Sequence, residues 1–177
     1  VDYLFDIEKK YSVTESVNIA FIGTLASYKG GEIVNIFIDI IESNSLNINL
    51  FVIGALLDVN IKKSDHLLVH GEYTTGELPH LMYKYDIDVI FISSIWPETF
   101  SYTCEEAIRM NLPVACFDIG APADRVAEYE RGLVLGFDAN AYDQAVLGNP
   151  AQKAEANQYF IDYIDKIAQH GADRRGR

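Results

Sequence analysis

The sequence predicts a doubly wound α/β fold with a mostly parallel sheet of about six strands. Short apolar runs without polar alternation recur along the chain, and segments with helical spacing of apolar residues separate them. Such runs are typical of strands covered on both faces, and their alternation with helices implies βαβ crossovers. The runs are Val17–Gly23, Ile48–Gly54, Leu67–His70, Asp88–Ser93, Pro113–Asp118 and Leu133–Gly136.

Apolar residues three and four apart predict the helices between these runs. The stripes are Ile33, Ile36, Phe37, Ile40 and Ile41, then Leu78, Leu81, Met82 and Tyr85, then Cys104, Ala107 and Ile108. Asn149-Pro150 begins another predicted helix, because proline is favoured in a first helical turn. Nothing in the predicted core requires this last helix. We therefore divide the chain into a doubly wound domain, residues 1–148, and a crossing helix with a basic tail, residues 149–177.

The composition excludes several classes of protein. The 177 residues include 14 basic and 26 acidic side chains, a net charge of −12, so an acidic body is a poor partner for DNA or RNA. The sequence contains no run of about 18 apolar residues, so it predicts no membrane span. The two cysteines, Cys104 and Cys116, fit a reducing compartment, and we expect a cytoplasmic protein. The chain begins at Val1 without a methionine, and we interpret it as a piece of a larger protein.

Ligands of a doubly wound sheet bind outside the carboxyl ends of the strands. Glu98 and Glu106 follow the fourth run with seven residues between them. With Glu98 on a loop and Glu106 in a first helical turn, both carboxylates would border one pocket. The helix-start amides near Phe100 and Ser101 would offer donors to an anion there. Carboxylates accept hydrogen bonds from sugar hydroxyls and amide N–H groups donate to phosphate, so such a pocket suits a sugar nucleotide.

Simpler interpretations of this motif stay open. Thr103-x-x-Glu106 has the pattern of a capping box, in which the glutamate returns to the cap amide. Glu98, after Pro97, fits an ordinary loop residue, and Glu105 fits the solvated face of the helix. A noncatalytic α/β interaction module would need no more than this.

Two further loops offer candidate binding residues. In the loop Gly23–Gly31, Gly23 and Gly30 permit the backbone to approach a ligand closely. Lys29 would bring a positive charge to a diphosphate. The alternative is a plain loop with a solvated lysine. The loop has neither the glycine pattern of a dinucleotide-binding site nor that of a P-loop. After the fifth run, Gly120 allows close approach near a helix start. Arg125 would face the pocket or form a surface ion pair with Glu128.

The motifs resemble those of retaining glycosyltransferases of family 4, the group 1 glycosyltransferases. Glu98 to Glu106 resembles the family's E-x7-E motif, and Gly23 to Lys29-Gly30 resembles its G-R-L-x-x-x-K-G loop. Asn111-Leu112-Pro113-Val114 is similar to its G-x-P-V segment. The likeness covers roughly residues 17–136. It is greatest to the multidomain bacterial enzymes that build surface polysaccharides.

The resemblance implies the carboxyl-terminal domain of a GT-B fold, a Rossmann-like half that binds the donor. It implies that Lys29 contacts the donor diphosphate and that Glu98 is catalytic, meeting the donor sugar at the reacting centre. Glu106 would hold the ribose hydroxyls. The remaining donor-binding residues are Gly23, Thr24, Gly30, Phe100, Ser101, Gly120 and Arg125, and the loop His70–Tyr73 would border the base.

The partners implied by the resemblance are a nucleotide-diphosphate sugar and a saccharide or lipid-linked acceptor held by a missing amino-terminal domain. No cofactor or metal is expected, and the full-length protein can associate peripherally with a membrane. Thr24 occupies the position of the family's arginine, so one charged partner of the diphosphate is lost. Asn111 occupies the position of the glycine in the G-x-P-V segment. Half of a sugar-nucleotide epimerase is another alternative, because it shares the fold type.

Overall fold

The computed structural model describes residues 16–173. They form one sheet of six parallel strands in the order β3-β2-β1-β4-β5-β6. All six predicted strands are confirmed, and the pairing is parallel throughout. Their bounds are β1 Val17–Ile22, β2 Ile48–Ile53, β3 Leu67–Gly71, β4 Val89–Ile92, β5 Val114–Phe117 and β6 Gly132–Leu135.

Helices flank the sheet on both faces. Their bounds are α1 Gly31–Ser43, α2 Leu78–Lys84, α3 Tyr102–Arg109, α4 Gly120–Glu128, α5 Ala139–Leu147 and α6 Pro150–Asp173, with 3₁₀ turns at Ser27–Lys29 and Thr75–Glu77. The sequence did not predict α5, in which only Ala141 is buried. None of the helices within residues 16–173 has the length and apolar content to cross a membrane.

The apolar core lies in two layers, one on each face of the sheet. One layer packs α1 and α6 against the sheet, and the other packs α2, α3 and α4. Alternate residues of each strand enter opposite layers, so that Phe21 joins the first and Ala20 the second. Aromatic rings fill the first layer, where Phe91 contacts the rings of Phe21, Phe37 and Phe117. The buried runs predicted for the central strands thus have a core on both sides.

Helix α6 completes the first core layer, so the expectation that the core does not require it is wrong. Phe160, Ile164 and Ile167 have no exposed surface, and the helix packs against α1, α5 and β1. Polar residues lie between the apolar residues of α6, so the sequence shows only a weak helical pattern there. The division of the chain at residue 148 stays a prediction, and the basic tail from residue 174 lies outside the described residues.

Strand β3 departs from the prediction that every run is covered on both faces. It forms an edge of the sheet, and Leu68 and Val69 are 38% and 45% exposed. The connection from β2 to β3, residues 54–66, contains no helix. A loop covers less of a strand than a helix does, and this explains the exposure of β3.

Candidate functional site

Three loops meet at the edge of the sheet where the strands have their carboxyl ends. The loop after β1 touches the end of β4 at Gly30, where an added Cβ would lie 1.9 Å from the Ser93 carbonyl oxygen. It touches α3 at Gly23, where an added Cβ would lie 2.4 Å from Thr103 Cγ2. The loop after β5 touches the loop after β4 at Gly120. Close contacts within the protein therefore surround these three glycines, and their close approach to a ligand stays a prediction.

Lys29 ends the 3₁₀ turn Ser27–Lys29, and this turn is held at both ends. At its carboxyl end Gly30 has φ 76°, and Ser93 Oγ donates a hydrogen bond of 3.0 Å to the Lys29 carbonyl. At its amino end the Ser27 backbone N–H and Oγ both donate to the Asp58 carboxylate. No sequence motif marks Asp58, so its contact with this turn was not predictable from the sequence.

The ammonium group of Lys29 lies 3.8 Å from Glu98 Oε1. The two side chains are 34% and 18% exposed, so the pair is partly shielded from solvent. The loop that carries Glu98 is itself fixed, because the Ala121 N–H donates to the Glu98 carbonyl at 2.9 Å. Lys29 and Glu98 are therefore brought together, and the binding roles expected of them stay predictions.

Helix α3 begins at Tyr102 with Ser101 as its N-cap. Ser101 Oγ accepts from the Cys104 N–H at 3.3 Å, and the residue is 1% exposed. Thr103 is consequently the second residue of the helix, and the capping box with Glu106 is wrong. Glu106 is the fifth residue of α3, one position beyond the first turn in which it was expected.

The Glu106 carboxylate faces the loop after β3. Tyr73 Oη donates to Glu106 Oε2 at 3.4 Å, so the two side chains meet across the carboxyl edge of the sheet. Burial, followed by the charge of Glu106, raises the pKa of Tyr73 to about 12. The phenol therefore remains a proton donor to the carboxylate at neutral pH. The resemblance implied that the loop His70–Tyr73 borders the base, which stays a prediction, and the contact of Tyr73 with Glu106 was not predicted.

Arg125 is bound to the start of α3 and does not pair with Glu128. Its guanidinium forms an ion pair with Glu105, donates to the Ser101 carbonyl at 3.2 Å and lies 4.6 Å from the centre of the Phe100 ring. Glu105 is accordingly only partly exposed, which corrects its assignment to the solvated face. Arg125 is therefore held by α3 and the Phe100 ring, and its contact with the donor stays a prediction.

The tip of α3 faces solvent at the mouth of the site. Phe100 is 50% exposed and Tyr102 is 78% exposed, and their rings form an edge-to-face contact with centroids 4.8 Å apart. Thr24 is also exposed, in the neighbouring loop. Helix starts leave their first amide groups without intrahelical partners, and here Ser101, itself 1% exposed, satisfies one of them, the Cys104 N–H.

The described part of the chain contains no group of three or more His, Cys, Asp or Glu side chains arranged to hold a metal ion. Cys104 and Cys116 are buried free thiols, and burial raises the pKa of each. Neither thiol is therefore activated as a nucleophile.

Residues 4–162 match the sequence profile of the family described as "Glycosyl transferases group 1". Among curated protein sequences, none matches significantly.

Solved structures share the fold. HepE from Anabaena, crystallised with UDP and glucose, is 17% identical with a TM-score of 0.55, and the match covers 93% of this chain and 44% of HepE. The C-terminal domain of LpcC from Francisella tularensis is 18% identical with a TM-score of 0.55, covering 90% of this chain and 85% of that domain. WaaB, a lipopolysaccharide outer core galactosyltransferase, is 15% identical with a TM-score of 0.54, covering 95% and 50%. The chain thus spans less than half the length of HepE and most of the length of a single C-terminal domain.

Proposed function

Because the chain belongs to the family of group 1 glycosyl transferases, we propose that it is the donor-binding domain of a family 4 enzyme with a retaining mechanism. The donor is a nucleotide-diphosphate sugar. The observation that carries this proposal is the Lys29–Glu98 pair, which joins a cation and a carboxylate beside the exposed start of α3.

Each part of the site suits one part of such a donor. Lys29 and the amides at Phe100 and Ser101 bind the diphosphate, because an ammonium group and helix-start N–H groups both stabilise anions. Glu106, oriented by its hydrogen bond from Tyr73, accepts hydrogen bonds from the ribose hydroxyls. Gly23, Gly30 and Gly120 bring the three loops close enough to form one site, with Thr24 at its exposed rim.

Glu98 is the residue we assign to catalysis. A sugar leaving its diphosphate develops positive charge at the anomeric carbon, and a fixed carboxylate stabilises that charge most in the transition state. Lys29, 3.8 Å away, is placed to stabilise the negative charge on the leaving diphosphate. We assign Arg125 an indirect role, since it holds Ser101 and Phe100 in place.

The proposal extends to the whole protein. HepE was crystallised with UDP and with UDP-glucose, and WaaB is a galactosyltransferase of lipopolysaccharide, so a uridine donor and bacterial surface polysaccharide synthesis fit this chain. The acceptor, a saccharide or a lipid-linked saccharide, binds to a second domain, and transfer takes place in the cytoplasm or at the inner face of the membrane. This chain alone binds donor without efficient transfer.

Calorimetry with a panel of nucleoside diphosphates that includes UDP tests donor binding. Lys29→Ala should weaken binding about tenfold or more, because it removes a charge-assisted contact. Glu106→Ala should weaken binding of ribonucleotides, with the fold intact. Lys153→Ala, which removes an exposed lysine from α6, is the matched control and should bind as the parent does.

If no nucleoside diphosphate binds, or if Glu106→Ala lowers only the melting temperature, the chain is a noncatalytic module. Chelation by EDTA should leave the affinity for UDP unchanged, as expected for a site that needs no metal. In the full-length enzyme Glu98→Gln should reduce turnover more than nucleotide affinity, and equal losses would contradict its catalytic role.

A further inference from the structure

We infer that Asp58 is a positioning residue for Lys29: it caps the 3₁₀ turn Ser27–Lys29 from a neighbouring loop and thereby holds the cation of the donor site in place. The inference rests on the proposed function, because it concerns the affinity of that same site. Asp58 does not contact the donor in this account and acts through the backbone of the turn.

Both oxygens of the Asp58 carboxylate are used in the cap. Oδ1 accepts from the Ser27 backbone N–H at 2.9 Å, and Oδ2 accepts from Ser27 Oγ at 2.9 Å. The residue at the N-cap position of the turn is Ala26, which has no side-chain oxygen to perform this role. A carboxylate at the amino end of a helical turn satisfies an N–H group that the turn cannot. Asp58 therefore supplies from another loop what the local sequence lacks.

The backbone brings Asp58 to this position through pairing between the two loops. The Leu25 N–H donates to the Ala55 carbonyl at 2.8 Å, and the Leu57 N–H donates to the Leu25 carbonyl at 2.9 Å. Asp58 follows directly with φ 50°, a left-handed conformation that aspartate and asparagine adopt more readily than most residues. The loop after β2 is thus attached to the loop after β1 immediately before the cap.

The opposite end of the turn is fixed independently. Gly30 is tight against the Ser93 carbonyl, and Ser93 Oγ donates to the Lys29 carbonyl. Between these two attachments Lys29 extends its side chain to within 3.8 Å of Glu98. Loss of the Asp58 cap frees the amino end, and affinity falls with the fraction of molecules in which the turn stays formed.

Two substitutions separate capping from charge. Asparagine keeps an acceptor for the Ser27 N–H, its amide group can donate to Ser27 Oγ, and it tolerates φ 50°. Glycine accepts the same backbone conformation and removes the cap. If Asp58 acts by position, Asp58→Asn should preserve affinity and Asp58→Gly should not. Asp65→Ala, which removes an exposed carboxylate before β3, is the control for a change in charge alone.

The test is calorimetry with UDP on the 177-residue chain, combined with amide hydrogen exchange at Ser27. Asp58→Gly should weaken UDP binding about threefold to tenfold, as expected when a helical cap is lost, and should speed exchange at Ser27. Asp58→Asn and Asp65→Ala should change neither quantity. In a Lys29→Ala background, Asp58→Gly should have no further effect on affinity.

The inference is overturned if Asp58→Gly binds UDP as the parent does, if Asp58→Asn is as weak as Asp58→Gly, or if the loss persists in the Lys29→Ala background. A parent chain that binds no nucleoside diphosphate refutes the proposed function instead. The exchange measurement still decides the inference in that case, since slow exchange at Ser27 in Asp58→Gly contradicts the cap.

Discussion

Gly120 lies where the loop after β5 crosses the loop that carries Glu98. It has φ 65°, and an added Cβ would lie 2.8 Å from the Glu98 backbone nitrogen and 2.9 Å from its carbonyl oxygen. The next residue, Ala121, donates to that same carbonyl. The backbone of Glu98 is therefore positioned by a glycine that no side chain can replace without movement of one of the two loops.

Gly120→Ala should reduce the free energy of unfolding by about 1–2 kcal/mol from the left-handed conformation, with a further cost from the contact. It should also weaken UDP binding, because the displaced Glu98 loop leads into the start of α3. Urea unfolding and calorimetry measure the two effects. Gly76→Ala is the control, since an added Cβ there meets no atom within 4 Å. Equal stability of the two variants would contradict the assigned contact.

The ion-pair partner of Arg125 could not be decided from the neighbouring sequence. From the sequence, Glu128 is its natural partner because it lies three positions along the same predicted helix. The structure pairs Arg125 with Glu105 of α3 and places it over the Phe100 ring. The choice is made by the packing of α3 against α4, which brings a carboxylate and an aromatic face to one guanidinium.

At the scale of elements, α6 is the helix whose role differs most from its sequence pattern. Its buried residues are spaced three and four apart and include Phe160, Ile164 and Ile167, yet exposed polar residues surround them. Tyr163 attaches the helix to the loop after β6 through a hydrogen bond to the Gly136 carbonyl. The helix is therefore part of the folding unit that contains β1 and α1.

Phe160→Ala should reduce the free energy of unfolding by about 3–5 kcal/mol, the usual cost of a large cavity in a core. Gln158→Ala changes an exposed side chain of the same helix and should cost less than about 0.5 kcal/mol. Urea unfolding followed by circular dichroism compares the two. Similar stabilities would show that α6 is a separate element, as the division at residue 148 predicts.

At the scale of the whole molecule, two partly buried tyrosines and a buried cysteine make stability depend on alkaline pH. Burial is the first cause that raises the pKa of Tyr73, Tyr142 and Cys116 to about 12, from 10.0 for the tyrosines and 9.0 for the cysteine. The folded chain keeps these protons when the unfolded chain has released them. Their contribution to stability is complete below about pH 9 and is lost as pH rises toward 12.

The free energy of unfolding should therefore be constant near pH 8 and fall between about pH 9 and 12. Urea unfolding at pH 8, 10 and 11 measures the change. Tyr142→Phe should make the fall shallower, because one of the raised groups is removed. A free energy of unfolding that stays level to pH 11, or an identical slope in Tyr142→Phe, would contradict the burial of these groups.

The sequence by itself determined the fold class, the six strands and the positions of the candidate donor residues. Apolar runs and helical stripes are local properties of a chain, and the buried strands at Val17, Val89 and Val114 follow from them directly. The motif from Glu98 to Glu106 is equally local, so it was recognisable without coordinates. Its simplest alternative, a cap at Thr103, could be decided only when the first residue of α3 was known.

Only the tertiary structure decided which of these residues meet. The strand order places β1 between β2 and β4, so the loop after β1 contacts Asp58 on one side and Glu98 on the other. No periodicity in the chain specifies that order, because neighbours in a parallel sheet are joined by crossovers of variable length. Tyr73 and Glu106 are likewise far apart in the sequence, and only the folded sheet brings them together at its carboxyl edge.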